Sequence, residues 1–331
     1  MASSARPEAA GDNGIFRATE NANAARRCGR RRPHRVVIAR RRRRPIVLRM
    51  VTEHAPLEDE LGDVLEKALR CAGLTEAALA ERTGIDRERI ADAIGYQYDE
   101  WTPQECRVLA AALSLNEVGV QALAAGKYPL PQITGLPFCL YPLRMTHGVG
   151  VTNAYIVADC RQNHGVLFDT GNDPDALQRL WPAAITRLDA VFITHAEREH
   201  LGGLPEVRRR FGAVPVFAPV ESGVPGATEI GEGSRLVFGA AEVELLATPG
   251  HAEAHHCYIV RAPRACKGVP LLLSGDLLFA GSVGVAYFCA KRLNTRLARV
   301  LAALPPETVV APGHGPLTTI GNERACNPFV I

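Results

Sequence analysis

The 331-residue sequence is short of several things. Aromatic residues make up 6% of it, with two Trp and three Met, so any core must be largely aliphatic. Cysteine occurs nine times but never as a C-x-x-C pair. An odd, scattered set argues against a disulfide framework or a zinc ribbon and fits thiols kept reduced in a cytoplasmic setting. No apolar run is long enough for a secretory signal or a membrane helix. The nearest to one, Leu271 to Ala290, is interrupted by Asp276 and three glycines and reads as strand and loop. No membrane association is expected.

Charge is present but unevenly placed. The net value of +3 averages residues 1–50, with fourteen Arg, no Lys and three acids, against an acidic remainder. Residues 1–50 show no apolar period and include the run Arg40–Arg44. A segment that buries so little apolar surface cannot offset its ordering entropy, so disorder is expected. Met50 stands where periodic patterning begins. The preferred expectation is that residues 1–49 are not a natural part of the protein. The other reading is a tail that binds nucleic-acid phosphate.

Residues 57–125 read as a small all-helical domain. Leu61, Val64, Leu65, Ala68 and Leu69 recur at helical spacing. In the stretch from Gly73 to Ile94, Thr75 suits an N-cap, Leu79 should face inward, Gly84 should make a turn, and Ile85 and Ile90 should pack a second helix. Leu109, Ala112 and Leu113 continue the pattern. This stretch resembles the helix-turn-helix domain of the lambda-repressor-like family, which implies DNA reading by the helix near Asp86–Ile94. The charges point elsewhere. Residues 57–125 hold fourteen acids and six bases, with Asp86, Glu88 and Asp92 on that helix, a face that repels phosphate. A protein partner or self-association is the stronger expectation for this domain, and DNA binding the weaker.

A Pro/Gly-rich linker is expected over 126–138. Beyond it, residues 139–331 alternate short apolar runs with helical and turn segments. Strands are expected at Val151–Ala158, Gly165–Asp169, Ala190–Thr194, Val214–Ala218, Val243–Ala247, Leu271–Ser274 and Thr308–Val310.

Ligand-capable side chains collect just after these runs. Phe192–Gly203 reads FITHAEREHLGG, placing His195, Glu197, Glu199 and His200 within six residues. Such a cluster repels itself or goes unpaired unless a cation or solvent compensates. His251 follows a stiff Thr248-Pro249-Gly250 turn, with His255 and His256 beyond it. Asp276 ends an apolar run, and His314 lies between two glycines. Each of the last three is weak alone; their order and intervals make a pattern.

That pattern resembles the metallo-β-lactamase-fold superfamily, with its H-x-H-x-D-H motif followed by His, Asp and His, over roughly residues 139–331. The resemblance implies a mixed α/β fold, the four-layer αβ/βα sandwich. It implies one metal held by His195, Glu197 and His251, another by Glu199, His200 and His314, and Asp276 bridging them. Asp169, in GVLFDTG, would brace the ligands from behind. VTNAY at Val151–Tyr155 and the closing GHGPLTTIGNERACNPF are similar to the glyoxalase II-like branch. The departures are Glu197 where the family has His and Glu199 where it has Asp. Carboxylates harden a site: zinc favours imidazole, whereas iron and manganese accept more carboxylate. The H-x-E-x-E-H form resembles that of flavodiiron proteins. Val285 stands where the glyoxalase-like branch has Arg, and the sequence ends at Ile331 without that branch's helical glutathione-binding extension. Both points turn the expectation away from a glutathione-specific site.

The expected function is hydrolysis of an ester or thioester in a small-molecule substrate, with two divalent ions, Zn or Fe and with Mn open; Asp276 would hold the metals and orient the nucleophile, and His255 would supply an accessory hydrogen bond as the second catalytic group. The alternatives are a diiron O₂- or NO-binding redox or sensor protein and a helix-turn-helix regulator with a metal-binding sensor domain. Residues 126–331 carry 18 bases against 17 acids, which gives little steering for a polyanion and weakens a nuclease reading. His256 and Cys257 are expected in the core, and His147 and His164 on the surface away from the motifs.

Overall fold

A computed structural model describes residues 55–97, 100–148, 150–239, 241–262 and 268–331. The Arg-rich segment 1–50, with its expected disorder, lies outside the described residues.

The first helices follow from apolar spacing and caps. They are α1 (Leu61–Ala72), α2 (Glu76–Thr83), α3 (Arg87–Ile94), α4 (Pro103–Leu113) and α5 (Glu117–Ala124). Leu61, Val64, Leu65, Ala68 and Leu69 form the buried stripe of α1. Thr75 caps α2 by accepting from the Ala78 N–H at 3.2 Å, and Gly84 ends it at φ 71°, a left-handed conformation that glycine adopts without strain. Leu79, Ile90 and Leu109 close the core between these helices. Residues 127–138 then run without helix or strand.

The strands form two six-stranded sheets. The first holds β1 (Cys139–His147), β2 (Gly150–Ala158), β3 (His164–Phe168), β4 (Arg187–Phe192), β5 (Val216–Pro219) and β6 (Thr228–Ile230) in sequence order, with α6 (Pro174–Leu180), α7 (Arg198–Leu201) and α8 (Leu204–Phe211) in its connections. The second holds β7 (Arg235–Phe238), β8 (Ala241–Ala247), β9 (His256–Arg261), β10 (Leu271–Gly275), β11 (Val309–Pro312) and β12 (Thr318–Thr319), again neighbour to neighbour. Helix α9 (Ala290–Ala303) connects β10 to β11, and α10 (Ile320–Cys326) follows β12. Pairing in the first sheet is antiparallel over β1–β3 and parallel from β3 to β6. In the second only β10 and β11 run parallel.

Period-two alternation sorts the side chains into layers. Tyr258, Val260, Leu271, Leu273, Val309 and Ala311 point between the sheets, where they meet Phe168 and Phe192. Their neighbours Cys257, Ile259, Leu272 and Val310 point outward to Leu293, Leu297 and Val300 of α9. Across the first sheet, Val191 and Ile193 pack on Leu177 of α6 and on Leu204 and Val207 of α8. The result is the expected four-layer αβ/βα sandwich. Each fully buried Leu or Phe contributes about 1.5–3 kcal/mol.

All the expected strands are present, with ends shifted by a few residues. β1, β6, β7, β9 and β12 are not among the expected strands; the β1 sequence CLYPLRMTH contains Pro142 and lacks clean alternation, which an edge strand tolerates. The 271–290 stretch is strand followed by loop, and among the described residues no helix is long and apolar enough to cross a membrane.

The cysteine reading needs correction: Cys139 and Cys160 are disulfide-bonded. They are 21 residues apart, so no short motif marks them. Pairing of Cys139 with Ala158 across β1 and β2 brings the Cα atoms of Cys139 and Cys160 to 5.1 Å, within bridging range.

Candidate metal centre

The site lies where strands end. Asp169 follows β3, His195 follows β4, His251 follows β8, Asp276 follows β10 and His314 follows β11. Packing the sheets face to face brings these ends together. The imidazole pairs His195–His200, His195–His251 and His200–His314 have ring centroids 4.2, 5.0 and 5.5 Å apart. His195, His200, His251, Asp276 and His314 are buried, while Glu197 and Glu199 are half-buried.

Each imidazole is held by Nδ1. That atom donates to Thr194 Oγ1 in His195 (3.0 Å), to Asp169 Oδ2 in His200 (3.0 Å), to the Val285 carbonyl in His251 (2.7 Å) and to the Val151 carbonyl in His314 (3.0 Å). With Nδ1 fixed in this way, each Nε2 points inward, and it is the atom a metal-ligating histidine offers. The Nε2 atoms of His195 and His200 and Oδ1 of Asp276 are buried without a hydrogen-bond partner among the described residues. Leaving such groups orphaned costs about 1–3 kcal/mol each unless a ligand satisfies them.

Donor atoms within 4.8 Å of one another fall into three sets: His195, Glu197 and His251; Glu199, His200 and His314; and His195, His200 and Asp276. Asp276 lies between the first two, at 3.5 Å from His200 Nε2, 3.7 Å from His251 Nε2 and 3.3 Å from His314 Nε2. The donor set fits two cations. Burial works against ionising Asp276, but the imidazoles of His314 and His200 outweigh it and hold the carboxyl well below its usual range. Burial, then the neighbouring His200, holds His195 neutral. Gly313 permits the crowding: a Cβ there would come within 2.2 Å of Asp276 Oδ1.

Asp169 supports this arrangement from below. It adopts φ 55° and accepts from Thr194 N, Thr194 Oγ1 and His200 Nδ1. Strain of this kind persists where surrounding contacts over-determine it.

His255 lies beneath the centre and does not line the pocket. Its Nδ1 donates to Thr248 Oγ1, and its Nε2 accepts the Asp276 backbone N–H at 3.1 Å. Burial, then His251, brings its pKa down to about 3. Cys257 packs in the core, its thiol pushed up to about 12 by burial. His147 is not remote, as the sequence reading had it: it lines the pocket, 6.1 Å from the His314 ring. Asn153, within VTNAY, supports the site from the side: its amide donates to the Pro312 and Gly315 carbonyls and so fixes the His314 loop.

The pocket above the centre has a volume of about 380 Å³. One wall is Phe279, Val285 and Tyr287; the other comes from the helical segment and includes Glu58 and Lys67. Nothing in an acidic, helix-patterned stretch marks Glu58 as a pocket residue.

A family model described as the metallo-beta-lactamase superfamily matches residues 147–314, just over half of the chain. The chain belongs to that superfamily. The superfamily match begins at His147, so the lambda-repressor-like resemblance of α1–α5 gains no support from it. A hydroxyacylglutathione hydrolase of Yersinia enterocolitica is 30% identical over 161 residues, 48% of this chain and 60% of the relative; the chain spans less than two thirds of that protein. The probable metallo-hydrolase YqgX of Bacillus subtilis is 30% identical over 212 residues, 56% of this chain and 96% of the relative. Among solved structures, TTHA1623 in a di-iron-bound form is 32% identical and covers 56% of this chain and 99% of its own, at a TM-score of 0.46.

Proposed function

We propose that this member of the metallo-beta-lactamase superfamily is a metal-dependent hydrolase of ester or thioester bonds in a small-molecule substrate. One observation carries the reading: buried imidazole and carboxylate atoms without hydrogen-bond partners among the described residues converge, while each Nδ1 behind them is tethered. His195, Glu197 and His251 would hold one divalent ion, Glu199, His200 and His314 a second, with Asp276 between them. Zinc, iron and manganese all suit a mixed imidazole and carboxylate set. When bound, such a pair supplies Lewis acidity and lowers the pKa of water from about 15.7 toward 7.

The chain's own residues fix the geometry. Asp276 keeps its carboxylate ionised at the pocket floor, where it orients a water proton. His255 holds the backbone under Asp276 and so acts one step removed from the chemistry. Phe279 and Tyr287 wall the pocket on its apolar side. The names of the relatives, a hydroxyacylglutathione hydrolase and a probable metallo-hydrolase, support the reaction class.

The test is metal analysis of protein purified without added metal, followed by assays on a panel of small esters and thioesters. Bound metal with turnover supports the reading. A chain that takes up none of zinc, iron and manganese overturns it. Glu197, Glu199 and Asp276 favour a second reading, a diiron redox or sensor centre; two irons with an O₂-sensitive visible spectrum and no hydrolysis would select it. The helical segment walls the pocket, which favours a role in shaping it over one in reading DNA.

A further inference from the structure

The helical segment touches both loops that present the outer imidazoles. Asp59 accepts from Lys67 Nζ and from Ser282 Oγ, and Lys67 Nζ also donates to the Val283 carbonyl at 2.8 Å. Two residues on, the Val285 carbonyl holds His251. At the other loop, Glu58 Oε1 lies 3.7 Å from His314 Nδ1.

Glu58 sits in a notch cut for it. A Cβ at Gly150 would come within 2.9 Å of Glu58 Oε2, and one at Gly315 within 3.1 Å of the Glu58 backbone nitrogen. These glycines flank Val151, whose carbonyl holds His314, and His314 itself. Inside the notch, Glu58 Oε2 is buried without a hydrogen-bond partner among the described residues. Desolvating a carboxylate is costly: burial pushes the Glu58 carboxyl above its usual range, the Asp59 and Asp276 carboxylates add to this, and His314 and then Lys67 oppose it. At 3.7 Å the contact is electrostatic rather than a hydrogen bond; the Val151 carbonyl takes the proton while the carboxylate stabilises positive polarisation of the ring.

We propose that Glu58 is a positioning residue for His314, so that the segment leading into α1 completes the metal centre. The inference rests on the metal-centre reading above. Carboxylates behind ligating histidines raise ligand basicity and fix ring orientation. His200 has the hydrogen-bonded Asp169 behind it; His314, whose Nδ1 donates to the Val151 carbonyl, has the Glu58 carboxylate beside that atom from a distant part of the chain.

The test uses the full chain and zinc, with the dissociation constant read by chelator competition and the thermal midpoint of the metal-free protein as a second readout. Glu58→Gln keeps the shape and removes the charge. It should weaken zinc binding about tenfold, the low end for such partners, with the metal-free midpoint unchanged. Gly150→Ala, which displaces the Glu58 carboxylate, should weaken zinc binding to a similar degree, and should add nothing when combined with Glu58→Ala. Glu58→Gln binding zinc as tightly as the wild type overturns the proposal. So does Gly150→Ala exerting its full effect in the Glu58→Ala background. A wild-type chain that binds no metal overturns the hydrolase reading itself.

Discussion

Asp169 Oδ2 accepts the Nδ1–H of His200 at 3.0 Å, with both side chains buried. The same carboxylate takes the Thr194 backbone and hydroxyl, so one group fixes the start of the ligand-bearing loop and the orientation of its last histidine. Asp169→Asn tests this directly. Asn tolerates left-handed backbone, so the turn at φ 55° should survive. Metal affinity should fall about 10- to 100-fold, as read by chelator competition.

His200→Ala and Asp276→Ala should each abolish hydrolysis and lower bound metal. Asp276 neighbours three imidazoles, and losing it leaves them without their shared carboxylate. Cys257→Ala is the matched control. Its thiol donates to the Ser274 carbonyl and receives the Thr248 hydroxyl, both behind the site, so turnover should be largely kept. Undiminished rates in Asp276→Ala would refute the assigned role.

The face-to-face packing of the sheets depends on Phe192. Its ring stacks on Phe168 and Phe217 at 5.3 and 5.1 Å and meets the edge of Tyr258 at 5.1 Å. Phe192→Ala leaves a cavity there and should cost about 3–5 kcal/mol of stability. Urea unfolding with an unchanged slope and a lower midpoint checks it.

Glu105 gives a pH signature separate from the metal centre. The hydrogen bond from Arg89 at 2.7 Å, then that from the Thr102 backbone at 2.7 Å, lowers its pKa from 4.5 to about 2. A carboxyl depressed in the folded state contributes stability that is complete above 4.5 and lost as pH falls through about 2. Glu105→Gln should therefore melt lower than the wild type at neutral pH. The gap should close between pH 4.5 and pH 2 in a series of thermal melts; a gap that stays constant across that range would remove the ion pair as its cause.

Much of the candidate site was legible because several of the candidate donors sit at punctuation marks. A Pro-Gly turn before His251, a glycine before Asp276 and glycines on both sides of His314 are local features, and a strand that ends in such a turn presents the next side chain at its edge. The helix caps at Thr75 and Gly84 were legible for the same reason: their hydrogen bonds reach only a few residues. His147 was misread because its strand, β1, carries Pro142 and an irregular pattern. Once β1 pairs with β2 at the sheet edge, its last residue stands at the pocket rim.

Sequence alone determined the chemical inventory: which residues could ligate, the strand runs whose ends carry those candidates, and that imidazoles and carboxylates are mixed. Packing decided the rest. The wall contributed by Glu58 and Lys67, and His255's place beneath rather than beside Asp276, depend on contacts between segments far apart along the chain. Such contacts form only when the two sheets close on each other and the helices dock against their loops, and no local period or cap encodes them.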